Sequence, residues 1–170
     1  QVCCGIRMPS DMETIDIRRG SDVEFGLSVY EPFGIAQLEP LTFGGICVLS
    51  NICGCTGFVR DVTGGGEFEN VVVADYINLN GQSPQSIEDA VCIDKEQREQ
   101  IEENVSSQIA SKVCSLLSED ADVLSERLRR GYEAASKMSW DSVVSGYLKG
   151  CVISNGGHFN DRTDFSFILN

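Results

Sequence analysis

Two carboxylates and a tight turn form the part of this chain best suited to chemistry. Glu31 opens the segment Glu31-Pro32-Phe33-Gly34-Ile35, and Glu39 follows after seven intervening residues. Pro32 fixes φ and donates no hydrogen bond, which suits the first turn of a helix. Phe33, Gly34 and Ile35 then carry the unpaired N–H groups of that helix start. Such groups favour an anion by about 0.3–1 kcal/mol, or ~2 kcal/mol when partly buried. Gly34 has no Cβ to hold a ligand away. Glu39 would lie roughly 9 Å along the helix axis from Phe33. Its neighbours Leu38 and Leu41 are apolar, an odd setting for a carboxylate unless it faces a cleft. An acceptor there suits paired hydroxyls, such as a ribose diol. A diphosphate over the turn with its ribose near Glu39 is sterically sensible.

The flanking elements must position these groups. Residues 22–28 alternate, with Val23, Phe25 and Leu27 on one face, and read as a strand. Residues 35–43 place Ile35, Leu38 and Leu41 at helical spacing, and Gly44-Gly45 ends that helix. Residues 46–49, Ile-Cys-Val-Leu, form an apolar run expected of a strand buried on both faces. The order β-α-β implies a parallel sheet, with the Glu31 turn beyond the carboxyl end of its first strand. Residues 12–20 suit a short helix stopped by Gly20.

Residues 51–66 read as a loop, and Gly64-Gly65-Gly66 as a flexible stretch that opens no helix. Residues 70–75 form another buried-type strand, and residues 76–86 a connector. The character then turns helical. Asp94 and Gln97 make a capping box ahead of a stripe at Ile101, Val105, Ile109 and Val113. A second helix over residues 121–137 has Leu124, Leu128, Tyr132 and Ala135 in register. Ser139 caps a third, with Trp140, Val143, Val144, Tyr147 and Leu148 directed to the protein and Gly150 at its end. Residues 151–170 are turn-rich and read as a docked tail carrying the single histidine, His158, as a surface residue.

Composition narrows the function classes. The chain has 170 residues with 13 basic and 26 acidic side chains, a formal net charge of −13. Such a surface repels phosphate backbones and anionic membranes, so nucleic acid is not an expected partner. No apolar run reaches the length of a membrane span. The chain starts at Gln1, without a basic or long apolar leader, and is expected to begin inside a longer protein. Of eight cysteines, Cys47, Cys92 and Cys114 stand at core-like positions. Reduced thiols fit a cytoplasmic setting. Cys3, Cys4, Cys53 and Cys55 have the number of a zinc site, but their CC and C-x-C spacings are not the usual ones, and no metal is expected.

The segment EPFGIAQLEPLTFGG resembles the E-x7-E signature of retaining GT-B glycosyltransferases, the group of glycogen and starch synthases. The match runs through Ser28, Glu31-Pro32-Phe33-Gly34-Ile35, Leu38-Glu39, Leu41, Gly44-Gly45 and residues 48–50, with Pro40 in place of the commoner alanine. Residues 137–140, with Val143-Val144 and Tyr147-Leu148, resemble the late Ser-Trp segment of the same family. The likeness implies a Rossmann-like parallel sheet flanked by helices, with a helical C-terminal half. It implies a partial nucleotide-sugar (donor) binding domain over residues 1–150 and a tail over residues 151–170. Glu31 would sit beside the donor sugar as the catalytic residue. Phe33, Gly34 and Ile35 would approach the sugar and diphosphate, and Glu39 would hold the ribose. The implied reaction transfers a sugar from a nucleoside diphosphate sugar to a carbohydrate or other hydroxyl acceptor, without cofactor or metal. Only 30 residues precede Glu31. The basic pair that holds the diphosphate and the N-terminal domain are therefore expected in the parent chain, and this fragment alone is expected to be inactive. The other class consistent with the sequence is a non-catalytic module of the same descent that binds or scaffolds.

Overall fold

The computed structural model describes Pro9 and residues 11–28, 31–78 and 84–145. Cys3, Cys4, Tyr147, Leu148, Gly150, His158 and the 151–170 tail lie outside the described residues. The elements in chain order are α1 (Thr14–Arg19), β1 (Val23–Gly26), β2 (Ile46–Ser50), α2 (Cys55–Thr63), β3 (Val71–Ala74), α3 (Ile87–Val91), α4 (Lys95–Leu116), α5 (Ala121–Ser136) and α6 (Trp140–Val143). Two short 3-10 helices, Ile35–Gln37 and Glu39–Phe43, join β1 to β2. The chain divides into two units, Gln1–Ala135 and Ser136–Asn170.

The larger unit is α/β. Its three strands are parallel in the order β1-β2-β3, with Val23 opposite Ile46 and Cys47 opposite Val71. Helices flank the sheet, an arrangement compatible with a Rossmann-like fold. Every residue of β2 is buried, as its unbroken apolar run requires. On one face Ile46 and Val48 meet Val72 of β3 and Val113 of α4. Ala74 meets Ile101 and Val105 of the same helix. These α4 residues are the stripe read from the sequence. Asp94 and Gln97 form the expected capping box, Asp94 Oδ1 accepting from Gln97 N at 2.8 Å.

Four sequence readings require correction. Residues 35–43 are not one helix. Pro40 lacks an N–H and its ring crowds the preceding turn, so the segment breaks into two 3-10 turns that bury Leu38, Pro40 and Leu41. Residues 51–66 are not all loop, because residues 55–63 form α2. Gly64, in the left-handed region at φ 64°, ends this helix. Helix α5 turns a different face inward. It buries Arg127, Gly131, Ala134 and Ala135, leaving Leu124, Leu128 and Tyr132 exposed. The small residues face inward because Gly131 abuts the Leu41 carbonyl, where any Cβ would overlap it. Asn70 fixes this approach, its Nδ2 donating to the Arg127 carbonyl at 2.9 Å. The Arg127 guanidinium in turn reaches the Leu116 carbonyl at the end of α4.

The fourth correction concerns single residues placed in the core. Cys92 and Cys114 are exposed, whereas Cys47 is buried. Cys114 follows the buried Val113 by about 100° around α4 and so points off its packed stripe. Phe25 on β1 is 64 % exposed. In the smaller unit Ser139 caps α6 as expected, its Oγ accepting from Ser142 N at 3.3 Å. Trp140, the first residue of that helix, is 81 % exposed rather than packed. Among the described residues no helix is long and apolar enough to cross a membrane.

Candidate functional site

The Glu31 turn lies where the sequence places it, just past the carboxyl end of β1. Its backbone forms a parallel bridge to Cys53 in the segment after β2, and its carbonyl accepts from Gly54 N at 2.9 Å. The side chain folds back on its own turn. Oε1 accepts from Phe33 N at 3.2 Å and from Gly34 N at 3.1 Å. Two of the three amides expected to await an anion are thus satisfied by the turn's own carboxylate. Oε2 has no hydrogen-bond partner among the described residues. Phe33 and Ile35 are 75 % and 62 % exposed.

Gly34 has φ 66° and caps the first 3-10 turn. Only glycine takes this conformation without strain. The space beside it is filled from within, since a Cβ there would overlap the Cys53 sulfur. The missing side chain therefore admits a thiol, where the sequence reading had a ligand. Cys53 Sγ donates to Gln37 Oε1 at 2.7 Å, and Gln37 Nε2 donates to Ser28 Oγ at 2.8 Å. Gln37 thus ties the segment after β1 to the segment after β2. Its role was not read from the sequence. The signal was there: Gln37 falls inside the turn between two glutamates. Ser28 and Gln37 also line a cavity of about 420 Å³ with Arg18, Glu24 and Phe25.

Glu39 lines a separate cavity of about 350 Å³, together with Ile15, Arg18 and Phe43. Its carboxylate is held by the Arg18 guanidinium, which also lies 3.6 Å from Glu24 on β1. Arg18, one of the few cations ahead of the turn, is thereby neutralised inside the chain. Glu31 and Glu39 share a segment but engage different neighbours, the loop after β2 and helix α1 respectively.

A third acidic group sits at the sheet's carboxyl end. Asp75 follows β3, and Asn51 follows β2. Asp75 Oδ1 accepts from Asn51 Nδ2 at 2.6 Å and from Ile77 N and Asn78 N at 3.1 Å each. Asn51 Oδ1 accepts from Tyr76 N at 3.1 Å. This carboxylate is spent on shaping its own loop. The pair was not singled out in the sequence, though Asn and Asp directly after apolar strands are a known turn signal.

The thiols complete the electrostatics. Burial, with the Glu24 charge adding to it, pushes the Cys47 thiol up to about 12. Burial and the neighbouring Cys53 push Cys55 up as well. Both are held as neutral thiols, so nucleophilic thiolate chemistry is not prepared here. Among the described residues no group of three or more His, Cys, Asp or Glu is gathered as a metal-ligand set. What remains is one carboxylate oxygen of Glu31 without a hydrogen-bond partner among the described residues, the exposed pair Phe33 and Ile35, and polar groups lining the cavity at the end of β1. That surface can hydrogen-bond hydroxyls and accept an apolar ring. No protein-family model matches the chain, and no curated protein matches it.

Proposed function

We propose that the chain is the donor-binding part of a retaining GT-B glycosyltransferase, of the glycogen and starch synthase kind. The reading is that it holds a nucleoside diphosphate sugar for transfer to an acceptor hydroxyl. One observation carries it. The Glu31–Ile35 turn stands beyond the carboxyl end of β1 in a parallel α/β sheet, the place where such sheets bind ligands. In this reading Glu31 sits beside the reacting carbon. Its Oε1 holds the turn rigid, and Oε2 is the oxygen left for the donor sugar. A carboxylate oriented in this way stabilises the positive charge that develops on the sugar as the diphosphate leaves. Phe33, Gly34 and Ile35 line the approach, and Glu39 meets the ribose once Arg18 releases it. No cofactor takes part; the nucleotide sugar is the donor substrate.

Titration calorimetry of the full chain against nucleoside diphosphate sugars tests the reading. Binding is expected, and Glu39→Ala should weaken it tenfold or more. Equal affinity in the two proteins, or no binding at all, sinks it.

A second reading, a non-catalytic module of the same descent that binds nucleotide sugars or scaffolds, is favoured by a separate observation. Both glutamates already have partners within the chain, Glu39 with Arg18 and Glu31 with its own turn. Sugar transfer or donor hydrolysis by the protein decides against this reading.

A further inference from the structure

Two sulfurs lie together beneath the Glu31 turn. Cys53 Sγ and Cys55 Sγ are 3.0 Å apart, closer than two unbonded sulfurs pack without a hydrogen bond. Both residues are buried, at 2 % and 4 % exposure, yet Gly54 between them is exposed, so the pair is one layer below the surface. Gly54 has helical backbone angles, φ −60° and ψ −27°. Such a residue sets its neighbours' Cα atoms about 5.4 Å apart, within the range that a disulfide spans. The Cα spacing therefore fits a disulfide, and the sulfurs have about 1 Å left to close. A disulfide, like the neutral dithiol it replaces, carries no charge into the site, so closure adds no desolvation cost.

We propose that Cys53 and Cys55 are an oxidisable dithiol whose closure to a disulfide is transmitted to the Glu31–Gln37 turn. A hydroperoxide small enough to enter is the oxidant. One sulfur attacks the peroxide as its proton passes to the departing oxygen, the O–O bond breaks, and a sulfenic acid forms with release of water from hydrogen peroxide or of an alcohol from an organic hydroperoxide. The second sulfur attacks that sulfur, the S–O bond breaks, and the hydroxyl leaves as water with the second thiol proton. Two electrons pass from the thiols to the peroxide. A thiol reductant reverses the closure.

The transmission runs through two contacts. Closure removes the S–H that Cys53 donates to Gln37 Oε1, and Gln37 is the residue bonded to Ser28 after β1. It also draws Cys53 Sγ toward Cys55 and so shifts the sulfur that packs against Gly34. The proposal rests on these contacts alone and holds whether or not the turn binds a nucleotide sugar.

The test is peptide mapping of the full chain after hydrogen peroxide, with alkylation under denaturing conditions, followed by hydrogen exchange. The expected peptide spans both cysteines, is two hydrogens lighter and takes up no alkylating reagent. Dithiothreitol restores both thiols. Repeating it in Cys92→Ser/Cys114→Ser removes the thiols that are exposed among the described residues as competing partners. Residues 33–37 are expected to exchange faster in the oxidised chain. Full alkylation of Cys53 and Cys55 where Cys92 and Cys114 have been oxidised overturns the proposal, as does sulfinic acid without a cross-link. A cross-link that leaves exchange at residues 33–37 unchanged overturns the coupling to the turn.

Discussion

Arg18 holds the carboxylate of Glu39 and, on its other side, approaches Glu24 at 3.6 Å. One guanidinium thus joins α1, β1 and the second 3-10 turn. Replacing Arg18 with methionine frees Glu39 while keeping an apolar stem. The Glu39 pair is half exposed and adds little, but Arg18 and Glu24 are only 20 % and 29 % exposed, so the loss of stability should be about 1–3 kcal/mol. If Glu39 binds ribose, Arg18→Met should raise affinity for nucleoside diphosphates, and Glu39→Ala should weaken it tenfold or more. Thermal melts and calorimetric titration of the two variants check this together.

Gly34→Ala should destabilise the chain strongly. The residue has positive φ, and the new methyl group would overlap the Cys53 sulfur. Strain and overpacking together are expected to cost about 2–4 kcal/mol. Urea unfolding measures it. A change within experimental error would mean that the turn is not built around the thiol.

Two helix glycines should respond in opposite directions. Gly57 in α2 has open space where its Cβ would go, so Gly57→Ala should stabilise by about 0.5–1 kcal/mol. Gly131 in α5 abuts the Leu41 carbonyl, so Gly131→Ala should destabilise by about 1–3 kcal/mol despite alanine's better helix propensity. Chemical denaturation of both variants reads the difference in sign.

Alkaline pH should unfold the chain through its buried thiols. Cys47 is raised from an ordinary value of 9.0 to about 12 by burial. Between those values the unfolded chain has lost a proton that the folded chain keeps, so stability falls as pH rises. Below about 9 the contribution is fully present. Cys55 and Tyr76 are shifted the same way by burial and add to the slope. Melting temperature should be flat from pH 6 to 8 and decline above 9. Cys47→Ala should melt lower throughout but with a shallower alkaline decline.

These residues also mark what the sequence could disclose. Helix α4 was legible because its cap is chemical and its stripe is regular: Asp94 with Gln97, then Ile101, Val105 and Val113. Strand β2 was legible because a strand buried on both faces has no polar alternation to confuse it. Helix α2 was missed because Thr56, Gly57 and Thr63 are poor helix formers, although Cys55, Phe58, Val59 and Val62 hold the i, i+3, i+4, i+7 spacing. The face of α5 was misread because apolar size was taken to mean burial. The buried side is chosen by closeness of approach, which small residues permit, and by a buried arginine that no periodicity marks. At the candidate site, position was legible and occupancy was not. Which group satisfies the amides of Phe33 and Gly34 depends on the Glu31 rotamer, and what fills the space at Gly34 comes from a cysteine 19 positions along the chain.

Strand β1 ends the sheet among the described residues and exposes Phe25 beside Leu27, which is 38 % exposed. A bare parallel edge with such side chains is a template on which a second molecule can lay a strand. Glu24, in the middle of that strand and flanked by Arg18, sets a charge where an incoming chain would have to dry the edge. The Arg18 guanidinium that ties down Glu39 therefore has a second office, holding the Glu24 charge as a guard against self-association. Exchanging Glu24 for valine would leave a continuous apolar border, and light scattering would rise steeply with protein concentration.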